Sequence, residues 1–216
     1  MVQIPFFAFG DDVALSGPTH AEEVAKDLLT TIVSASEDTD AAKMVQKAFT
    51  TPFMRVYTNV DIRGVELSGA LKNIVALASG ITRGLGYGDN ARAALITRGV
   101  AEITRLGLRM GCLEQTFAGL AGVGDLIVTA TSEHSRNNRA GELIGRGMTP
   151  EEAVKEVGMV VEGINALPAA MRLTELYGVE MPIIQAVNEI IHEHRKPEDA
   201  VRALMAREEK SELSHD

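Results

Sequence analysis

At 216 residues, with 45% hydrophobic and 24% charged residues, the chain can bury a substantial core and is too apolar for disorder. Its formal net charge of −9 excludes a nucleic-acid or acidic-membrane partner, since both need a basic footprint. A single cysteine, Cys112, excludes an intrachain disulfide and any cysteine-based zinc site. The opening MVQIPFFAFG has neither the basic start nor the apolar run of a signal peptide, and no stretch approaches a membrane span, so a cytoplasmic location is expected.

In chain order, residues 1–60 read as the closing part of an α/β domain. A short apolar run at 13–15 ends in the turn Ser16-Gly17-Pro18, after which Thr19 and Glu22 have the spacing of a capping box. The β-branched run TTIVSA at 30–35 reads as a strand, 38–49 as a helix and 54–58 as a second strand, which together imply a parallel or mixed sheet. Residues 1–12 match no pattern.

From Asp61 the character changes to helices, expected at about 62–82, 90–110, 115–130 (interrupted by glycines), 136–146, 149–157, 162–177, 182–193 and 197–208. Asp89 or Asn90 is placed to cap the second, and Pro150, Pro182 and Pro197 open three others. The charged residues 209–216 read as a tail.

Three stretches can carry chemistry. In VELSGALKNIVALASG (65–80), Leu67, Ala70, Leu71, Ile74, Leu77, Ala78 and Ile81 make one apolar stripe, so the helix reads as amphipathic. Lys72 lies off that stripe among small neighbours. It either snorkels to water from a tight helix crossing or serves a ligand site as a general base. In GLAGVGDLIVT (119–129), Asp125 either caps a helix, with Thr129 bonded back to a carbonyl, or pairs with Lys72. Ser135-Arg136-Asn137 forms either a phosphate clamp or a solvated basic helix start. The five histidines show no ligand spacing, so no metal site is expected. The glycines at 84–88 follow a helix and lack the spacing of a nucleotide loop.

Taken together, LSGPTHAEEV (15–24), VELSGALKN (65–73), GLGYGDN (84–90), GLAGVGD (119–125) with Thr129, and Ser135-Arg136-Asn137 resemble the bacterial NAD(P)-dependent glycerol-3-phosphate dehydrogenases, in that family's order. The resemblance implies a remnant of a Rossmann-type α/β dinucleotide-binding domain (1–60), an all-α dehydrogenase domain (61–208) and a chain that is mostly helical. It implies NAD or NADP as cofactor, and glycerol 3-phosphate and dihydroxyacetone phosphate as substrates. Lys72 would be the catalytic base at the C2 hydroxyl. Gly17, Thr19, Lys72, Asp125, Ser135, Arg136 and Asn137 would contact substrate, and Ala21, Arg136, Val160 and Glu162 the cofactor.

The family's opening strand with its G-x-G-x-x-G/A turn and helix is absent from this sequence, as is its upstream Lys-Gly. The chain therefore reads as N-terminally truncated. Weak or no turnover alone, and self-association or a homo-oligomer through exposed strands, are expected. A non-catalytic helical fragment that binds phosphate or a partner subunit is the alternative reading. A related hydroxyacid dehydrogenase is disfavoured by the Ser135-Arg136-Asn137 triplet.

Overall fold

The computed structural model describes residues 2–6, 11–209 and 211. Four strands, β1 (Val2–Phe6), β2 (Asp11–Ser16), β3 (Thr30–Ala35) and β4 (Met54–Asn59), form a sheet in that order, with α1 (Ala21–Val24) and α2 (Thr39–Phe49) between them. β1 and β2 pair antiparallel, as do β2 and β3 with Ser16 opposite Val33. β3 and β4 run parallel, with Thr30 opposite Met54, so the sheet is mixed. Alternation serves both faces: Val13, Leu15, Ile32 and Val56 pack with Val45 of α2, whereas Ala14, Val33 and Ala35 pack with Val65 and Ala121. Part of the 1–12 stretch that matched no pattern is thus β1 and the start of β2.

All later described elements are helical: α3 (Ile62–Gly84), α4 (Asp89–Arg109), α5 (Glu114–Phe117), a π turn (Leu120–Gly124), α6 (Asp125–Thr131), α7 (Arg136–Gly145), α8 (Pro150–Val157), α9 (Glu162–Tyr177), α10 (Pro182–His192) and α11 (Pro197–Met205). Their boundaries follow their caps. Pro stands at the first turn of α8, α10 and α11, Thr149 and Glu152 complete a capping box on α8, and Gly158 closes that helix in the left-handed region at φ 69°.

Several local expectations are corrected. α1 is a single turn whose N-cap is His20, and the Thr19 hydroxyl donates instead to the Gly17 carbonyl, so no capping box forms there. Gly88 precedes α4 without a side-chain cap, and Asp89 is the first helical residue, paired with Arg92. The last helix stops at Met205.

α3 departs furthest from its expected form. It is the axis of the helical part, with α4, α6, α7 and α9 packed around it. Ser68, Gly69, Asn73, Ala76, Ser79 and Gly80 are buried along with the apolar stripe, while Ala70, assigned to the stripe, is exposed. A helix buried on nearly every side carries no amphipathic signature, and its small residues mark close crossings. A Cβ on Gly80 or Gly84 would overlap the backbone of α7, and one on Gly141 or Gly145 the backbone of α3.

Glu102 of α4 is 4% exposed and accepts from the backbone N–H of Ile183 (2.9 Å) and Ile184 (3.3 Å), capping α10 from a different helix. Burial pushes its carboxyl from 4.5 up to about 7, against the opposing pull of those two N–H groups, Arg105 and Arg98. Between those values the folded chain keeps a proton that the unfolded chain releases. The stability from this group is therefore whole below pH 4.5 and is lost as pH rises through 7, by roughly 3 kcal/mol. Unfolding free energies of the parent and Glu102→Gln from urea curves, compared at pH 4.5 and 7.5, should shift in the variant's favour by about that amount on going to the higher pH. A constant gap would contradict the assignment.

Candidate active site

The chemistry-bearing residues converge where α3, α6, α7 and α9 meet the end of β2. Lys72 is carried on α3 and Asp125 is the first residue of α6, directly after the π turn. That turn is tight: a Cβ on Gly122 would overlap the Phe117 carbonyl, so the glycine-rich run is what lets the chain fold back and present Asp125. Lys72 Nζ lies 2.6 Å from Asp125 Oδ2, and the two side chains are 14% and 3% exposed. Of the alternatives open in the sequence, this pair replaces the lysine that snorkels to water. Asp125 is no N-cap, a position held by Gly124, although the Thr129 hydroxyl does bond back to the Asp125 carbonyl at 2.7 Å. A cavity of about 10 Å³ behind Lys72, walled by Val100, Ile103, Phe117 and Leu126, has room for about one water.

A second set of side chains adjoins the pair through Asn73, the neighbour of Lys72. Asn73 Nδ2 donates to Glu162 Oε2 (3.2 Å), and its Oδ1 accepts from Asn137 Nδ2 (3.0 Å). Asn137 Oδ1 in turn accepts from the backbone N–H of Gly163 (2.8 Å). Asn137 is thus buried and ties α3, α7 and α9 together. Arg136 stands at the first position of α7, 40% exposed, and meets Glu162, 53% exposed, at a long 3.7 Å. Ser135 is the buried N-cap of α7 and accepts from the Asn138 N–H at 3.3 Å.

From the sheet, Ser16 donates to Asp125 Oδ2 at 3.4 Å, and Pro18 approaches Gly124. Gly17, at φ +145°, takes a conformation that favours glycine and packs against the Ile32 backbone. The His20 ring meets the His134 ring edge-on with centroids 6.0 Å apart, which places the Gly17–Thr19 turn beside Ser135. Thr19 and Ala21 are exposed, as is Val160 in the turn before α9. The structure therefore brings Lys72, Asp125, Ser135, Arg136, Asn137 and Glu162 together, with Gly17 and Thr19 close by. Ala21 and Val160 stand at its exposed margin.

Sequence reasoning missed Ser16 and the bridging role of Asn73. Both lie inside the motifs quoted above, but no spacing rule links a strand end to an aspartate 109 positions away. Among the described residues no group of His, Cys, Asp and Glu could hold a metal, and no helix is long and apolar enough to cross a membrane.

A family model described as the NAD-dependent glycerol-3-phosphate dehydrogenase C-terminus matches residues 61–202, and the corresponding N-terminus model matches residues 8–42. Glycerol-3-phosphate dehydrogenase (NAD(P)+) 2 of Lactobacillus delbrueckii subsp. bulgaricus is 66% identical over 202 residues, 94% of this chain and 60% of the relative. The Bacillus subtilis enzyme is 54% identical over 212 residues, 98% of this chain and 61% of the relative. The crystal structure of the Coxiella burnetii glycerol-3-phosphate dehydrogenase superposes with a TM-score of 0.89 at 41% identity, covering 91% of this chain and 61% of that one. The chain spans about 60% of the length of the curated relatives it matches. It belongs to the NAD-dependent glycerol-3-phosphate dehydrogenase family.

Proposed function

We propose that the chain carries the substrate-side residues of a cytoplasmic oxidoreductase that interconverts sn-glycerol 3-phosphate and dihydroxyacetone phosphate with NAD or NADP, feeding glycerophospholipid synthesis. The observation that carries this reading is the buried 2.6 Å Lys72–Asp125 pair, set one residue from the Asn73 bridge to Asn137 and Glu162. Within the same proposal, residues 1–60 close a dinucleotide-binding domain, 61–208 form the substrate domain and 209–216 a charged tail. β4 is the edge strand of the described sheet, and the exposed Tyr57 on it and Phe53 just before it support self-association.

Reduction of the ketone at C2 needs a proton delivered to its oxygen, and oxidation of the alcohol needs that proton removed. Lys72 does both: its ammonium donates to the C2 oxygen, and its neutral amine takes the proton back. Asp125 does not react; it keeps Nζ in one place. Arg136 clamps the phosphate from the start of α7, with Ser135 and Asn137 beside it and the Gly17–Thr19 turn next to Ser135. The side-chain atoms of Asn137 are already engaged by Asn73 and Gly163, so its share in binding is chiefly to orient the start of α7.

The nicotinamide supplies the hydride when bound. Arg136 and Glu162 fit its reactive end, being half exposed and joined only at 3.7 Å, and the exposed Val160 and Ala21 are assigned to the cofactor with them. Among the described residues no strand passes through a glycine-rich turn into a long helix, so they fit no pyrophosphate.

Calorimetric titration of the purified chain with sn-glycerol 3-phosphate, run beside Arg136→Ala, tests the phosphate assignment. A charge-assisted contact worth roughly 1.5–3 kcal/mol corresponds to a loss of affinity of about 10- to 100-fold. Equal affinity of the two proteins would refute it. Oxidation of NADH and of NADPH with dihydroxyacetone phosphate tests the reaction.

A further inference from the structure

We propose that Ser16 is a positioning residue for the Lys72–Asp125 pair, the point through which the sheet holds the reacting lysine; this rests on the role given to Lys72 above. Asp125 has two carboxylate oxygens to restrain. Oδ2 takes Lys72 Nζ at 2.6 Å and the Ser16 hydroxyl at 3.4 Å. Oδ1 faces the Thr129 hydroxyl at 3.3 Å, but that hydroxyl also lies 2.7 Å from the Asp125 main-chain carbonyl, four residues back on the same helix. A threonine hydroxyl has one proton, and the shorter, helix-internal bond takes it. Ser16 is then the hydroxyl whose proton points at the carboxylate.

Its backbone is fixed on both sides. Ser16 is 5% exposed and ends β2, where it pairs with Val33 of β3. Gly17 after it packs against the Ile32 backbone. The Ser16 contact spans 109 positions and joins the sheet to α6. At 3.4 Å it is long for a hydroxyl–carboxylate bond, so it steers the carboxylate plane rather than clamping it. With the hydroxyl removed, the Asp125 carboxylate keeps only the Lys72 pair and the weak Thr129 contact to set its plane, and Nζ samples a wider range of directions with it.

Trace labelling of the folded chain with acetic anhydride, read by peptide mass spectrometry, tests this without turnover. The exposed Lys43 and Lys155 serve as references. Coupling between contacting groups of at least roughly 0.6 kcal/mol is a factor of about three, so Ser16→Ala should raise the relative labelling of Lys72 at least about threefold. Ser16→Thr, which keeps the hydroxyl, should restore the parent value. Unchanged Lys72 labelling in Ser16→Ala overturns the proposal. If alanine loosens the whole sheet, amide hydrogen exchange in β2 and β3 rises as well, and Ser16→Cys, close in volume and a poor donor, then gives the same comparison with the same two outcomes. Failure of the parent chain to bind glycerol 3-phosphate would remove the catalytic reading and leave the labelling result standing.

Discussion

Gly141→Ala should destabilise the chain by about 3 kcal/mol and lower its melting temperature by roughly 6–12 °C. The added Cβ would overlap the Leu77 carbonyl oxygen and crowd the Ile81 nitrogen at 2.8 Å. Each of these atoms is backbone inside α3, so neither can swing aside as a side chain would. The reciprocal contacts of Gly80, Gly84 and Gly145 hold the same crossing, so α3 and α7 would have to separate along their length to admit one methyl. Gly88→Ala is the control: its Cβ meets nothing within 4 Å and its φ of −82° suits alanine, so the cost should stay below about 1 kcal/mol. Melting curves of the two variants decide the matter, and a shift below about 2 °C for Gly141→Ala would show that the helices can part cheaply.

Lys72→Met should cost about 3–5 kcal/mol, because it leaves the Asp125 carboxylate, 3% exposed, without its counter-charge. On the proposed mechanism it should also lower turnover by about 10²- to 10⁴-fold. The two effects separate in a cycle. Lys72→Met combined with Asp125→Asn removes both charges and should recover at least half of the lost stability, while the proton carrier stays absent and activity does not return. Urea denaturation of the two single variants and the double variant gives the coupling directly. Additive costs would mean that the 2.6 Å contact contributes nothing to folding.

How much of this was legible beforehand depended on the kind of signal. Helix ends were readable because they are set by chemistry local in sequence: Pro150, Pro182 and Pro197 suit a first turn, where no N–H is missed, although Pro168 inside α9 shows that the rule is a preference, and Gly158 takes a conformation other residues avoid. The pairing of Lys72 with Asp125 was open as one of two alternatives, since a carboxylate in an apolar run must find a partner somewhere. Periodicity misjudged α3 because Ser68, Ala76, Ser79 and Gly80 are nearly neutral in hydropathy. Their burial comes from the partner helix standing close, and a hydrophobic pattern does not report that. The Glu102 cap on α10 and the Ser16 contact each join distant positions through geometry, and residue type alone does not announce them.

The glycine crossing of α3 and α7 also sets a limit on what the site can accept. Lys72 rides on one of these helices and Arg136 begins the other, and the two meet main chain to main chain. The spacing between the Lys72 and Arg136 backbones is then a property of the scaffold, and neither helix can slide to lengthen it. On the proposed reading the protein measures its ligand against a fixed gauge. A phosphate ester one carbon longer would have to bend to bring both of its ends to their partners, so selection by length needs no residue that touches the carbon chain.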